Sequence, residues 1–378
     1  MKKIAVLFNT NQLGGAERSL VEQMSLSSQN FEYHLFIPDL EKSDKDLVSF
    51  INSHGLNRIH KFSYPGFLYK LSRNDFHKLP FVIFQLPLLI YYLFNWKNIF
   101  NSYSDFYVNG NKAIIPLFVL NYFTRKSYSV IWHFRDFPSP RAFGFIGKLT
   151  ASMPRLKIKL VANSHAVENE LKKYFPHHEV QCLYNLAGNL PMSEAPKKIS
   201  HIGVVSMLAP WKGLHTIMFM AALYDKELKA LGVEKISFYG ADIYQTAGEH
   251  SSYFGQLEKL SQKFPSSLVQ FAGKMPPEKI FSEIELLIHS SLQPEPFGRV
   301  ILEAFKSHIP VISTGLGGAG ELIEENVTGK LIIPYDYEGL FKSIKKLSEQ
   351  PQELKLIADR AYLKCIQIES EIKLNPPL

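Results

Sequence analysis

The stretch PEPFGRVILEAFKSHIPVI, residues 294–312, places one glutamate before an apolar run and a second glutamate inside it. If Glu295 and Glu303 shared one helix, they would lie about two turns apart and about 80° around its axis. That is a poor arrangement for a shared acid/base pair. If Glu295 lies in a loop and Glu303 lies in the following helix, both carboxylates can face a ligand at the helix N-terminus. The surrounding segments favour this second arrangement.

The residues just before this run, LIHSSLQPEPFG (287–298), lead from an apolar strand through a polar turn to a glycine. Helix N-termini bind anions because their N–H groups are unpaired, and Gly298 would let a ligand approach the backbone closely. Carboxylates at such a place suit the hydroxyls of a sugar and a ribose. The alternative for Glu295 and Glu303 is a helix cap and a solvated helix residue.

Short apolar runs alternate with longer amphipathic ones along the whole chain, which predicts parallel sheets flanked by helices. Residues 188–200 are polar and without a hydrophobic period, and they predict a linker. We expect an α/β protein with two doubly wound Rossmann-like domains, residues 1–187 and 201–362, facing a cleft. The predicted strands are 4–8, 33–37, 106–108, 128–133, 159–162, 201–205, 235–239, 269–271, 286–289, 310–314 and 330–333.

The amino-acid composition indicates which kinds of partner and which cellular compartment to expect. A chain of 378 residues with 46% hydrophobic and 20% charged residues is an ordinary two-domain globular protein. A net charge of +7 suggests anionic partners such as nucleotides or an acidic membrane surface, and no basic-aromatic motif indicates nucleic acid. Cys182 and Cys365 form no CxxC pair, which argues against a zinc site or a disulfide scaffold and fits a reducing cytosol.

One segment, residues 79–96, is strongly apolar but is interrupted by Gln85 and Pro87. A membrane span needs about 20 apolar residues, so this segment predicts a helix that covers the core. A membrane span is the less favoured alternative. We expect a cytoplasmic protein, which a lipid-touching face of this helix would make peripheral on the inner face of the membrane. The N-terminal apolar run, residues 4–8, is too short for a signal peptide and reads as a buried strand.

The longer stretch of residues 294–332 resembles the donor-site signature of retaining glycosyltransferases of the GT-B fold. This family includes many bacterial cell-surface sugar transferases. The resemblance rests on the acid pair, a Pro-Val strand, a Gly-Gly turn, an acid and a Thr-Gly turn, in that order. It extends over nearly the whole chain through four further motifs, GGAER (14–18), VIWHFRD (130–136), VANS (161–164) and APWKG (209–213).

The resemblance implies a role for each matching residue. Gly14 and Gly15 would bring backbone N–H groups near the transferring phosphate. His133 would lie against the donor sugar, and Lys212 would neutralise the diphosphate leaving group in place of a divalent metal. The implied catalytic residues are Glu295, His133 and Lys212, and the implied donor-binding residues are Gly14, Gly15, Lys212, Glu295, Phe297, Gly298, Arg299 and Glu303. Neither a metal nor a cofactor besides the nucleotide sugar is expected.

The implied reaction is retaining transfer of a sugar from a nucleotide-diphosphate sugar, such as a UDP or GDP sugar, to a carbohydrate or lipid-linked acceptor. Bacterial cell-surface polysaccharide or glycolipid is the expected product, and residues 363–378 are expected to return to the first domain. One departure is Ser206-Met207-Leu208, where the family usually has Gly-Arg-Leu. The arginine that would share the diphosphate with Lys212 is therefore missing. A catalytically degenerate nucleotide-sugar binding protein, or a phosphorylase or epimerase of the same fold, remains an alternative.

Overall fold

The computed structural model of the chain describes residues 1–40, 44–65, 86–241 and 253–374. The chain divides into two compact units. The first unit is Met1–Leu186 together with the residues from Ile372 onward, and the second is Ala187–Glu371. Each unit is built around one parallel sheet with helices on both faces. The predicted fold class, two doubly wound Rossmann-like units, is confirmed.

The sheet of the first unit has seven parallel strands in the order β3-β2-β1-β4-β5-β6-β7. The chain reverses its direction of progress between β1 and β4, which is the switch point at which doubly wound folds bind ligands. The strands are β1 (Lys2–Phe8), β2 (Phe31–Asp39), β3 (Ile59–Ser63), β4 (Asp105–Asn109), β5 (Tyr128–Phe134), β6 (Leu156–Ala162) and β7 (Val180–Cys182).

Both faces of this sheet are buried, as continuous apolar strands require. Successive side chains of a strand point to opposite faces. In β1, Ala5 and Leu7 join one apolar cluster, and Ile4, Val6 and Phe8 join the other. The helices that cover these faces are α1 (Gly15–Ser27), α2 (Lys45–Ser53), α3 (Leu86–Phe100), α4 (Ile115–Phe123), α5 (Pro140–Ala151) and α6 (His165–Tyr174).

The sheet of the second unit has six parallel strands in the order β10-β9-β8-β11-β12-β13, so its switch point lies between β8 and β11. Its strands are β8 (His201–Val205), β9 (Lys235–Tyr239), β10 (Val269–Gly273), β11 (Leu286–His289), β12 (Val311–Ser313) and β13 (Lys330–Leu331). Its helices are α7 (Leu214–Leu223), α8 (Asp225–Ala230), α9 (Tyr253–Lys263), α10 (Pro277–Glu283), α11 (Arg299–Lys306), α12 (Ala319–Leu322), α13 (Tyr337–Glu349) and α14 (Pro351–Leu374).

All eleven predicted strands are confirmed to within a few residues at their ends. Two strands were missed, β3 and β7, and each is the outermost strand of the first sheet. Edge strands are short or partly polar, so their sequences carry a weak apolar signal. The run IHKFS of β3 mixes polar and apolar residues, and β7 has only three residues.

The apolar segment at residues 79–96 lies in part outside the described residues, which resume at Leu86. From there α3 packs Trp96 and Phe100 fully into the core, and the Trp96 ring N–H donates to the Ser63 carbonyl at 2.9 Å. Tyr91 and Phe94 of the same helix remain more than half exposed. Along the described chain, no helix combines the length and the apolar character needed to cross a membrane.

Candidate active site

The second unit gathers polar side chains at the carboxyl ends of β8 and β11, the two strands that flank its switch point. After β8 the chain forms a single 3-10 turn, Pro210–Lys212. This turn is tied to the end of β11, because the Leu292 N–H donates to the Trp211 carbonyl at 2.7 Å and the Ser290 hydroxyl donates to the Lys212 carbonyl at 2.8 Å. The strand order therefore brings Lys212 next to the segment that carries Glu295.

Gly213 makes this approach possible. Its φ of 69° lies in the left-handed region, and a Cβ at this position would lie 2.2 Å from the Ser290 carbonyl oxygen. A side chain would both strain the backbone and push the turn away from β11. Gly213 therefore allows the turn to hold Lys212 close to the end of β11.

Glu295 lies in the loop between β11 and α11, because α11 begins only at Arg299. The arrangement favoured by the sequence, one acid in the loop and one in the helix, is confirmed. The Glu295 backbone N–H donates to the Leu316 carbonyl at 3.0 Å, and the Gly318 N–H donates to the Glu295 carbonyl at 2.8 Å. Gly317 has a φ of 69°, and a Cβ there would lie 2.5 Å from the Glu295 carbonyl oxygen. The Gly-Gly turn therefore clamps the backbone of Glu295.

The Glu295 carboxylate is a partner of two side chains, the Lys212 ammonium and the Ser291 hydroxyl, and both donate to its Oε1. Only 13% of the Lys212 side chain and 14% of the Glu295 side chain are exposed, so this ion pair is shielded from water. The His289 ring nitrogen Nε2 lies 3.7 Å from the same oxygen, and its Nδ1 lies 3.0 Å from the Ser313 hydroxyl.

The charges in this cluster follow from burial and from the ion pair. Burial lowers the pKa of His289 to about 4, so this imidazole is neutral at pH 7. Burial alone would raise the pKa of Glu295, but His289, Lys212 and the Ser291 hydroxyl together hold it below its usual value. Glu295 is therefore ionised at neutral pH and can accept hydrogen bonds. His289 and Ser291 were missed by sequence reasoning, although His289 ends a buried strand and Ser291 lies two residues beyond it.

Glu303, the second acid, is 8% exposed and lies in α11. Its Oε1 accepts a hydrogen bond of 2.8 Å from Nε of Arg299, four residues earlier on the same helix face. Gly298 precedes the helix with a φ of 88°, and Phe297 is buried at 2% exposure. The five predicted donor residues of this segment are thus held around one helix start.

Met207, the departure from the family pattern, lies two residues after the end of β8 and is half-buried. The neighbouring Ser206 hydroxyl is buried without a hydrogen-bond partner among the described residues. The Leu208 N–H donates to the Ala241 carbonyl at 3.1 Å, which fixes the backbone after Met207. The Met207 thioether adds no positive charge at this position.

Gly14 and Gly15 lie in the first unit, at the start of α1. Gly14 is the residue before the helix, and the Glu17 carboxylate reaches back to accept from the backbone N–H groups of Gly14 and of Glu17 itself. This contact corresponds to the acidic half of a capping box, without the side chain that a serine or threonine would supply at the N-cap. Burial raises the pKa of Glu17 to about 6. A phosphate would have to share the Gly14 N–H with this carboxylate, a feature that the glycines alone did not predict.

His133 lies at the end of β5 and is fully buried. Its Nδ1 forms a hydrogen bond of 2.5 Å with the Tyr107 hydroxyl, and its Nε2 is buried without a partner in the described part of the chain. Burial and then the charge of Arg135 hold the pKa of His133 well below its ordinary value, so the imidazole is neutral. Burial also raises the pKa of the Tyr107 phenol, which keeps it a donor. In the tautomer whose Nδ1 accepts from the Tyr107 hydroxyl, the proton of His133 is on Nε2.

Arg135, two residues further on, is a functional candidate that sequence reasoning missed. It is 8% exposed, and its guanidinium donates to four side chains from distant segments. The distances are 3.1 Å to Asn109 Oδ1, 3.1 Å to Ser19 Oγ and 3.1 Å to Gln23 Oε1, and Asn185 Oδ1 is the fourth acceptor. Five donors in a fixed plane let one arginine join β4, α1 and the segment that follows β7. The sequence feature that could have indicated Arg135 is its position in the motif VIWHFRD, two residues after His133.

Comparison with known proteins bears on the second unit directly. Residues 192–364 match the family model described as Glycosyl transferases group 1. No curated protein sequence matches the chain. The match to this family covers the Lys212, Glu295 and Glu303 positions described above.

Solved structures resemble the whole chain. Anabaena HepE in complex with UDP-glucose shares 21% identity over 98% of both chains, with a TM-score of 0.75. Sucrose-phosphate synthase from Thermosynechococcus elongatus shares 14% identity over 99% of this chain and 97% of its own, with a TM-score of 0.72. S. aureus TarM shares 13% identity over 100% and 99%, with a TM-score of 0.71. The resemblance to GT-B glycosyltransferases is confirmed, and at these identities the structural likeness by itself shows the fold.

Proposed function

We propose that this protein is a retaining glycosyltransferase that moves a sugar from a nucleotide-diphosphate sugar to an acceptor hydroxyl. The observation that carries the proposal is the shielded Lys212–Glu295 pair at the switch point of the second unit. One cation and one ionised acceptor, side by side ahead of a helix N-terminus, suit a diphosphate and a sugar hydroxyl. The match of residues 192–364 to glycosyl transferases supports the same chemistry.

In the proposed reaction Lys212 neutralises the charge that develops on the leaving diphosphate. Glu295 accepts hydrogen bonds from the donor sugar, and Glu303 accepts them from the ribose. The acceptor attacks on the face from which the diphosphate leaves, and the leaving phosphate takes the acceptor proton. The step forms one glycosidic bond, breaks one sugar–phosphate bond and releases a nucleoside diphosphate. It needs no protein nucleophile.

For the donor we propose a UDP sugar. HepE was solved with UDP-glucose, TarM with UDP and the pneumococcal enzyme GtfA with UDP and GlcNAc, and all three share the fold of this chain. For the acceptor we propose a carbohydrate or a lipid-linked saccharide of a bacterial cell surface, as the motif resemblance implies. A GDP sugar is the competing donor.

A thermal-shift panel of nucleotide diphosphates and nucleotide sugars tests the proposal. A ligand at about 100 times its dissociation constant should stabilise the fold by about 2.7 kcal/mol. With the donor found, NMR of the product should show the anomeric configuration of the donor retained. Donor hydrolysis without an acceptor distinguishes an active enzyme from a protein that only binds the nucleotide sugar. Dependence on orthophosphate would instead favour a phosphorylase, and turnover of the donor sugar without hydrolysis would favour an epimerase.

We expect transfer to be independent of divalent metal, because Lys212 supplies the positive charge that magnesium supplies in other transferases. The protein should therefore retain its transfer rate in EDTA. Calcium-free and magnesium-free assays with purified donor would measure this directly. A rate that collapses in EDTA and returns with magnesium would contradict the role given to Lys212.

We also propose peripheral association with an anionic membrane through residues 67–100, of which 67–85 lie outside the described residues. Tyr91 and Phe94 of α3 are 58% and 62% exposed, and Lys97 lies in the last turn of the same helix. Aromatic side chains with nearby cations give modest, salt-sensitive binding to anionic lipid.

Vesicle co-sedimentation tests this expectation. The protein should bind vesicles that contain anionic lipid at low salt and dissociate at high salt. Replacing Tyr91 and Phe94 by serine should weaken binding, whereas serine at Ile333 and Tyr337, two exposed apolar positions of the second unit, should not. If both variants bind equally, or if the native protein does not bind, then the exposed face of α3 does not bind membranes.

A further inference from the structure

The first unit brings together three side chains of types that bind metals, His165, Glu168 and Cys182. None of them belongs to the candidate active site. Strand β6 runs through Asn163 and Ser164 into α6, and the Ser164 hydroxyl accepts from the Val167 N–H at 3.1 Å to cap the helix. Strand β7 pairs with β6 in a register that places Cys182 beside Ala162. The end of β7 therefore lies against the first turn of α6.

His165 and Glu168 of that turn face the same side, because residues three apart in a helix are neighbours. His165 Nδ1 lies 2.7 Å from Glu168 Oε2, and one ligand atom each of His165, Glu168 and Cys182 lie within 4.8 Å of one another. Zinc binds sulfur, nitrogen and oxygen ligands at about 2.0–2.3 Å, which separates tetrahedral ligand atoms by about 3.3–3.8 Å. The ligand atoms would have to move by about 1 Å to reach these separations. The ring of His165 is exposed and can move by this amount.

The charges of the cluster also suit a cation. The two oxygens of the Glu168 carboxylate are held by different partners. Lys172 Nζ lies 2.8 Å from Oε1 and leaves Oε2 directed at His165. Cysteine binds metals as the thiolate.

We propose that His165, Glu168 and Cys182 bind one zinc ion, with water as the fourth ligand. One sulfur, one nitrogen and one oxygen form a donor set that zinc accepts and that magnesium and calcium do not prefer. Lys172 would act on the outer side of the site, as hydrogen-bonded partners of ligating carboxylates do. The bound ion would link the edge strand β7 to α6 and stabilise the first unit.

No short sequence motif marks this site. The absence of a CxxC pair argued against zinc, but here the cysteine comes from a strand and its partners come from a neighbouring helix. The proposal is independent of the transfer reaction, because it uses none of the proposed donor residues. It is also compatible with metal-independent transfer, because the bound zinc would stabilise the first unit without taking part in the transfer step.

Cobalt titration of the full chain without a polyhistidine tag, under anaerobic conditions, tests the proposal. One equivalent of Co²⁺ should produce the near-ultraviolet charge-transfer absorption of a cobalt–thiolate bond, and Zn²⁺ should remove it. Cys182→Ser should abolish this absorption, and His165→Ala should weaken cobalt binding at least about tenfold. Cys365→Ser is the matched control, because Cys365 is the other cysteine and is fully buried in the second unit.

Zinc should also raise the unfolding temperature of the native protein and of Cys365→Ser but not that of Cys182→Ser. Circular dichroism of each variant before titration establishes that its fold is intact. Absence of the charge-transfer absorption in the native protein would overturn the proposal. Its persistence in Cys182→Ser, or its loss in Cys365→Ser, would overturn it equally.

Discussion

Glu303→Ala is expected to weaken binding of the nucleoside diphosphate by about 10- to 150-fold. The carboxylate is buried at 8% exposure, and in the proposed complex it accepts hydrogen bonds from the ribose. Loss of a hydrogen bond to a charged group costs about 1.5–3 kcal/mol, which is the stated range in affinity. Titration calorimetry with UDP measures the change, and unfolding temperatures distinguish a local effect from loss of the fold.

The structure supplies the controls for this experiment. Arg299 donates to Glu303 at 2.8 Å, so the alanine variant also releases a guanidinium beside the site. Glu303→Gln keeps the size and an acceptor oxygen and should lose less affinity than alanine. Glu349→Ala, an exposed glutamate of α13, should bind UDP as the native protein does. UDP affinity that is unchanged in Glu303→Ala would remove this residue from the nucleotide site.

Glu295→Ala is expected to act on turnover instead. Its carboxylate faces the donor sugar in the proposed complex, and it also holds Lys212 through their shielded ion pair. Transfer should slow by about tenfold or more, by the same range of about 1.5–3 kcal/mol. UDP affinity should be retained or rise, because Lys212 is then free to pair with the diphosphate. A variant that loses UDP binding but transfers normally at saturation would reverse the two roles.

The fold was accessible to sequence reasoning because buried parallel strands are continuous apolar runs. The runs HIGVV of β8 and LLIH of β11 are buried almost throughout, and both were predicted at their observed bounds. Strand β3, with the run IHKFS, has two exposed polar positions because one of its edges pairs with no strand among the described residues. An apolar pattern cannot reveal a strand whose burial is incomplete.

The site was accessible only where its residues are close in sequence. The loop position of Glu295 and the helical position of Glu303 followed from one stretch of nineteen residues. The contact between Lys212 and Glu295 joins residues 83 apart and depends on β8 and β11 being neighbours in the sheet. Likewise, the burial of His133 and the four partners of Arg135 come from packing of the first unit, which no local pattern encodes. The roles of these residues in transfer remain predictions.

Met207→Arg is expected to accelerate transfer by about 10²- to 10³-fold. In the native protein a thioether follows β8 where the resemblance places a guanidinium, so in the proposed complex the diphosphate would lack the cation that the family usually has beside Lys212. Charge on the leaving group grows toward the transition state, and one hydrogen-bond donor directed at such charge is worth about 2.7–4 kcal/mol. Affinity for UDP should rise as well, because the product carries the same diphosphate.

Two features of the structure decide how this experiment is read. Met207 is half-buried next to Ser206, so Met207→Leu is the matched control for a change of packing without charge, and it should leave the transfer rate near the native value. Arg299 is the cation that could already serve the diphosphate, but its Nε is engaged by Glu303. If Met207→Arg binds UDP no tighter and transfers no faster, while Arg299→Ala loses UDP affinity, then Arg299 has taken over the missing role. The reading of this chain as a degenerate enzyme would then lose its physical basis, since the diphosphate would meet two cations in the native protein.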